Sequence, residues 1–123
     1  MPVFPPGALA MTGAPGLAIA VDDGGPYPTV RLRGELDLTQ ADRLREALDA
    51  VLARRPHLLV ADLSGLAFTD CAGLAVLVHA HRRQDAHGGL LLIHGARPLV
   101  RRVLTLTGLD ACLHLVPGAD PGS

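Results

Sequence analysis

Apolar residues along this chain alternate between two spacings, one of strands and one of helices. "LAIAV", Leu17–Val21, is a short apolar run closed by the turn signal "DDGGPYP". In "TVRLRGEL", Val30, Leu32 and Gly34 alternate with Arg31, Arg33 and Glu35, the period of a half-buried strand. A turn between two such runs predicts a hairpin, with the first strand at an antiparallel edge. The spacing then lengthens. Leu44, Ala47, Leu48, Val51 and Leu52 fall at i, i+3, i+4, i+7 and i+8, one face of a helix that stops at Pro56. Thr39 with Asp42 three residues on has the form of a capping box at its start.

"HLLVADLS", His57–Ser64, is nearly continuous in apolar character, which predicts a strand buried on both faces. A polar turn and a second helix follow, carried by Leu74, Leu77, Val78 and His81 and ending near Gly88. "LLLIHG" predicts another buried strand. A third helix starts at Pro98 and ends at Gly108, where a left-handed cap would sit. "ACLHLV" supplies the last strand. The order β-β-α-β-α-β-α-β predicts an α/β fold: one mixed, mostly parallel sheet with an antiparallel N-terminal edge strand and three main helices.

The length of 123 residues suits one domain. Pro, Gly and Ala dominate residues 1–15, which read as a flexible tail, as do residues 118–123; the domain spans 16–117. With two Phe, one Tyr and no Trp, the core must be built from Leu, Val and Ala. Eleven basic against twelve acidic residues leave no positive footprint for nucleic acid, and aromatic stacking platforms are missing. No apolar run is long enough to insert into a membrane. Cys71 and Cys112 lie far apart without a Cys-x-x-Cys pair, which points to a reducing cytoplasm. His79 and His81, two apart on a helix, face different ways, and the other histidines are scattered, so no metal site is expected. Neither a phosphate-binding Gly-rich loop nor a nucleophile elbow is present, so no catalytic residue and no cofactor are assigned.

Chemistry, where it exists, belongs at the carboxyl ends of the parallel strands. Two stretches qualify: "GELDLTQ", Gly34–Gln40, and "SGLAFTDCAGL", Ser64–Leu74, both read as loops entering helices. Helix N-termini there present backbone N–H groups, with Asp37 and Asp70 close by. A helix N-terminus lowers the pKa of a thiol at Cys71, while the negative charge of Asp70 opposes this, so the two effects partly cancel.

These residues resemble the STAS domain, the family of sulphate transporters and anti-sigma factor antagonists. "GELD", "DLSGLAFTDCAGLAVL" and "LTGL" carry the resemblance, which runs from about Leu17 to Val116. Its specific part is met by Asp62, Ser64, Gly65, Phe68, Asp70, Gly73 and Leu74. The resemblance implies a bacterial, cytoplasmic binding module whose partner is an anti-sigma factor, a serine kinase of the histidine-kinase ATPase fold. It implies a contact surface of Asp37, Thr69, Asp70, Cys71, Ala72, Gly73 and Leu74. In the family's bacterial antagonists the serine after the Asp is phosphorylated, and phosphate breaks the complex. Here that position is Cys71 and the next is Ala72, so the surface is expected without the usual phosphorylation switch. Thr69, the nearest hydroxyl, is read as sharing the helix cap with Asp70, or as a displaced phosphorylation site. A nucleotide- or small-molecule-sensing STAS domain and an accessory subunit of a lipid-transport complex are the other roles the resemblance allows. Oligomeric state is left open.

Overall fold

The computed structural model describes residues 8–14 and 16–117 of the chain. Strand β1 (Ala8–Ala14) is followed by β2 (Leu17–Asp22), β3 (Thr29–Leu36), helix α1 (Leu38–Leu52) and β4 (Leu58–Thr69). Helix α2 (Cys71–Ala86), β5 (Leu90–His94), α3 (Pro98–Leu106), a 3₁₀ turn (Leu109–Ala111) and β6 (His114–Val116) complete the order. The six strands form one sheet in sequence order. β1 and β2, and β2 and β3, pair antiparallel; β3 through β6 pair parallel. This is the expected α/β class, with a sheet one strand wider than the pattern predicts.

The added strand corrects the N-terminal boundary. Residues 1–15 read as a tail from their composition, yet Ala8–Ala14 pairs with β2 from Ala8↔Asp22 to Ala14↔Leu17. β2 is bonded to β3 on one side only, and its second row of backbone donors and acceptors is a ready template for another strand. Residues 1–7 and 118–123 of the two expected tails lie outside the described residues.

Each parallel crossover steps to the next strand in the same direction. Right-handed crossovers of this kind place their helices on one face of the sheet. β4 is therefore buried on one face, not on both as its apolar run suggests: Leu59, Ala61 and Leu63 are buried while Leu58, Val60 and Asp62 are only partly covered. The core lies between the helices and this one face. Its largest fully buried side chains are all leucines, among them Leu32, Leu36, Leu44, Leu48, Leu59, Leu74, Leu77 and Leu91. Each such leucine is worth about 1.5–3 kcal/mol of burial. Leucine supplies the bulk that this chain's few aromatic residues cannot. Gln84, also fully buried, donates from its amide to the carbonyls of Pro56 and Leu90, both at 3.0 Å, and ties the end of α2 to the starts of β4 and β5.

The helix-free face carries a row of charges across the strands. Arg31 on β3 bonds Asp22 at 3.1 Å and lies 3.6 Å from Asp62 on β4, and His94 on β5 lies 3.7 Å from the same Asp62. Burial pushes the Asp62 carboxyl up, but hydrogen bonds from Ser64 and the neighbouring His94 more than offset it and hold Asp62 below its ordinary value.

Helix ends follow the expected chemistry in part. Pro98 opens α3, and Gly108 adopts φ 77° just beyond its end, as a left-handed cap requires. The capping box of Thr39 and Asp42 does not form. The cap of α1 is Asp37, two residues earlier, whose carboxylate accepts from the Thr39 N–H at 3.0 Å and from the Thr39 hydroxyl at 2.6 Å. The last strand is shorter than "ACLHLV", because Leu109–Ala111 closes into a 3₁₀ turn.

Candidate functional site

The two stretches read as loops are almost entirely strand and helix. β3 runs to Leu36 and α1 begins at Leu38; β4 runs to Thr69 and α2 begins at Cys71. Asp37 and Asp70 are the whole of each connection. β4 reaches this far because its register against β3 shifts twice: Arg31 faces Asp62 but Arg33 faces Gly65, and Gly34 faces Leu66 but Glu35 faces Phe68. The extra residues break the alternation along "SGLAFT", so the segment reads as a loop although it is paired. After the shifts Leu36 and Thr69 stand opposite each other. The two aspartates, and the helix N-termini they begin, therefore lie side by side at the carboxyl end of the sheet.

Asp70 joins the two. One carboxylate oxygen accepts from the Gly73 N–H at 2.9 Å and caps α2; the other accepts from the Leu38 N–H at 3.1 Å, in the first turn of α1. Its own N–H donates to the Leu36 carbonyl at 3.2 Å. Asp37 serves α1 alone. Replacing a capping Asp by Ala costs about 1 kcal/mol. Each carboxylate accepts two hydrogen bonds, but one of Asp37's comes from a Thr39 hydroxyl that can turn to water, whereas both of Asp70's come from backbone N–H groups on two different helices. Asp70→Ala should therefore destabilise the chain more than Asp37→Ala, by about 0.5–1.5 kcal/mol. Urea midpoints of the two variants at equal m-value check the order, and equal midpoints would show that the Leu38 bond contributes nothing.

The expected contact residues divide by exposure. Cys71 is exposed at the first position of α2, and Ala72 and Asp37 are partly exposed. Thr69 is 1% exposed and its hydroxyl donates to the Asp70 carbonyl at 3.2 Å, so it neither caps the helix nor presents a hydroxyl to a kinase. Gly73 and Leu74 are buried as well. A Cβ on Gly73 would lie 2.5 Å from Leu36 Cγ and 2.6 Å from Thr69 Oγ1. These three residues seat α2 against the strand ends and so set where Cys71 stands.

Two apolar side chains that lie within the two candidate stretches but outside the expected contact set are exposed beside it. Leu38 is 72% exposed and Phe68 40%. Leu38 is detectable in the sequence: it falls off the Leu44–Leu48–Val51 stripe, so it cannot share the buried face of α1. Phe68 belongs to a part of β4 whose alternation the register shifts hide.

Away from this end, α1 and α2 are joined by Asp49, which accepts from Arg83 at 2.8 Å and lies 3.1 Å from the His79 ring. Partial burial pushes the Asp49 carboxyl up; the hydrogen bonds from His79 and Arg83 win, and it sits below its ordinary value. This accounts for His79 as an interhelical tie. Among the described residues no three His, Cys, Asp or Glu side chains gather where a metal ion could be held, and no helix is long and apolar enough to cross a membrane.

Comparison with known proteins returns a consistent group. A family model described as "Mlab, STAS domain" matches residues 19–117. An anti-sigma-F factor antagonist, RsfB, of Mycobacterium tuberculosis is 30% identical over 107 residues, covering 85% of both chains. An anti-sigma F factor antagonist of Paenibacillus polymyxa is 35% identical over 81 residues, 65% of this chain and 69% of that one. The crystal structure of an anti-sigma factor antagonist from Mycobacterium paratuberculosis superposes with a TM-score of 0.77 at 33% identity, over 89% of this chain and 93% of the other.

Proposed function

This chain belongs to the STAS domain family, and within it we propose that the protein is an anti-sigma factor antagonist, a binding module that sequesters an anti-sigma factor and so regulates transcription. Relatives that match most of the chain carry that name. The observation that carries the reading is the end of the sheet where Asp37 and Asp70 hold two helix N-termini side by side. Cys71 stands exposed at the position where the family resemblance places a phosphoacceptor serine.

The partner contact consists of Cys71, Ala72 and Asp37, with Leu38 and Phe68 as apolar anchors. Thr69, Asp70, Gly73 and Leu74 act beneath it by fixing its shape. The partner is an anti-sigma factor of the serine-kinase type, and the setting is the cytoplasm. The protein works by binding and not by catalysis. With no hydroxyl at Cys71 or Ala72 and Thr69 enclosed, phosphate on this surface does not control the complex; the availability of the partner does.

Titration calorimetry against purified anti-sigma kinases tests this directly. A complex with at least one of them that forms equally with and without ATP is the expected result. If none binds, under conditions where a serine-bearing antagonist of the family does, the reading is wrong.

A further inference from the structure

A groove of about 500 Å³ runs along α2, open to solvent, away from the two capping aspartates. Cys71 stands at one end of it and Arg82 at the other. Eleven helical steps separate them, about 16 Å at 1.5 Å per residue. Ala75 and Val78, above the buried Leu74, form an apolar stripe between the two, and Thr107 and Leu109, past the end of α3, line it as well. Leu106, just before Thr107, is 76% exposed.

The groove is cationic. Arg45 from α1 joins Arg82 and His79 in its lining, and no Asp or Glu takes part. His79 is engaged with Asp49. Arg45 and Arg82 are exposed, and among the described residues neither has a carboxylate within ion-pair distance. The chain as a whole is slightly negative, at −1. Two uncompensated guanidinium groups beside an apolar stripe are therefore a local arrangement, not a reflection of overall charge.

We propose that this groove docks an acidic amphipathic segment of the protein partner, apolar side chains along Ala75, Val78 and Leu109 and carboxylates on Arg45 and Arg82. The proposal rests on the binding-module reading above and adds the chemistry of the bound segment. Its length suits about three helical turns laid along α2, a helix-in-groove mode of recognition. The two arginines contribute steering and register more than raw affinity. An open trough with an apolar floor and charges at its margin suits a peptide; a small anion requires polar donors that enclose it, and Arg45 and Arg82 are exposed side chains on an open trough.

The probe is a designed helical peptide with Leu on one face flanked by Glu, beside a twin with Lys in place of every Glu. Both are titrated into the full chain by NMR. The acidic peptide should move the amides of Ala75, Val78, Thr107 and Leu109, and weaken as salt rises. Arg45→Glu/Arg82→Glu should bind it at least tenfold less tightly. Both arginines are exposed and unpaired, so an unchanged melting temperature verifies the fold. Equal binding of the two peptides, or of the double variant and the wild type, overturns the proposal. So does displacement of the peptide by ADP or inorganic phosphate at the same amides, which would assign the groove to a small anion. A second arm uses an anti-sigma factor that the wild type binds. Equal affinity for the double variant removes the groove from the interface and leaves the functional reading standing. If no anti-sigma factor binds the wild type while the acidic peptide still seats in the groove, the functional reading falls and the groove remains.

Discussion

Replacing Cys71 by Glu should abolish or weaken anti-sigma factor binding at least tenfold, without unfolding the protein. The two halves of this expectation have separate causes. Cys71 is exposed at the first position of α2, so its side chain is free to change without opening the core. An acidic residue in the first turn of a helix is favoured by the dipole, by about 0.3–1 kcal/mol, so the fold should hold or gain slightly. At the proposed interface the same charge would be desolvated against the bound partner, as a phosphate would be. Tenfold in affinity is about 1.4 kcal/mol, a modest demand on a charge placed at the centre of a contact. Cys71→Ser is the converse. It should bind as the wild type does and become a substrate of a partner kinase, gaining the mass of one phosphoryl group and losing the complex when ATP is present. Undiminished binding by Cys71→Glu would remove Cys71 from the contact. A serine variant that binds the kinase and is never phosphorylated would show that the loss of the hydroxyl is not the whole reason the switch is absent.

The largest expected effect on stability lies near the end of β3, where the chain approaches β2. Gly34 has φ 102° and faces Leu17, and a Cβ there would collide with the Gly16 carbonyl, which accepts a hydrogen bond from the Glu35 N–H. Gly34→Ala therefore combines two costs. Holding a non-glycine residue in that backbone region costs roughly 1–3 kcal/mol. Relieving the collision by shifting backbone costs roughly another 1–3 kcal/mol, as overpacking does. Gly88 is a control, with φ 80° and nothing within 4 Å of where a Cβ would stand. Gly88→Ala should show the conformational cost alone. The difference between the two urea midpoints then isolates the collision between β2 and β3. Equal midpoints would mean that the hairpin yields freely at Gly16.

The exposure pattern also explains why the proposed contact surface is small in residues yet fixed in shape. Cys71 and Ala72 are reachable because Gly73, Leu74 and Thr69 are not. Gly73 has no room for even a methyl group against Leu36 and Thr69, so α2 is pressed onto the strand ends. Asp70 then locks the start of α1 to the start of α2 through the Leu38 N–H. A partner bound at the proposed surface would meet it pre-shaped and lose little entropy in ordering it.

Much of this is legible from residue order alone. The stripe from Leu44 to Leu52 dictates α1, the alternation from Val30 to Leu32 dictates β3, and Pro98 and Gly108 bracket α3, because period and caps are local properties of the chain. The Asp-x-Ser-Gly to Gly-Leu motif likewise marks the end of the sheet proposed as the contact, and the absence of a hydroxyl at Cys71. Tertiary structure alone decided the rest. Ala8–Ala14 carries no pattern of its own and becomes a strand because β2 offers a free edge. Residues 64–69 read as a loop because two register shifts against β3 break their alternation. Thr69 is enclosed, Asp70 bridges two helices, and Arg45 and Arg82 line one groove, each because packing brings together residues more than twenty positions apart. Local periodicity sets which element a segment forms; register and packing between distant segments decide which of its side chains another protein can touch.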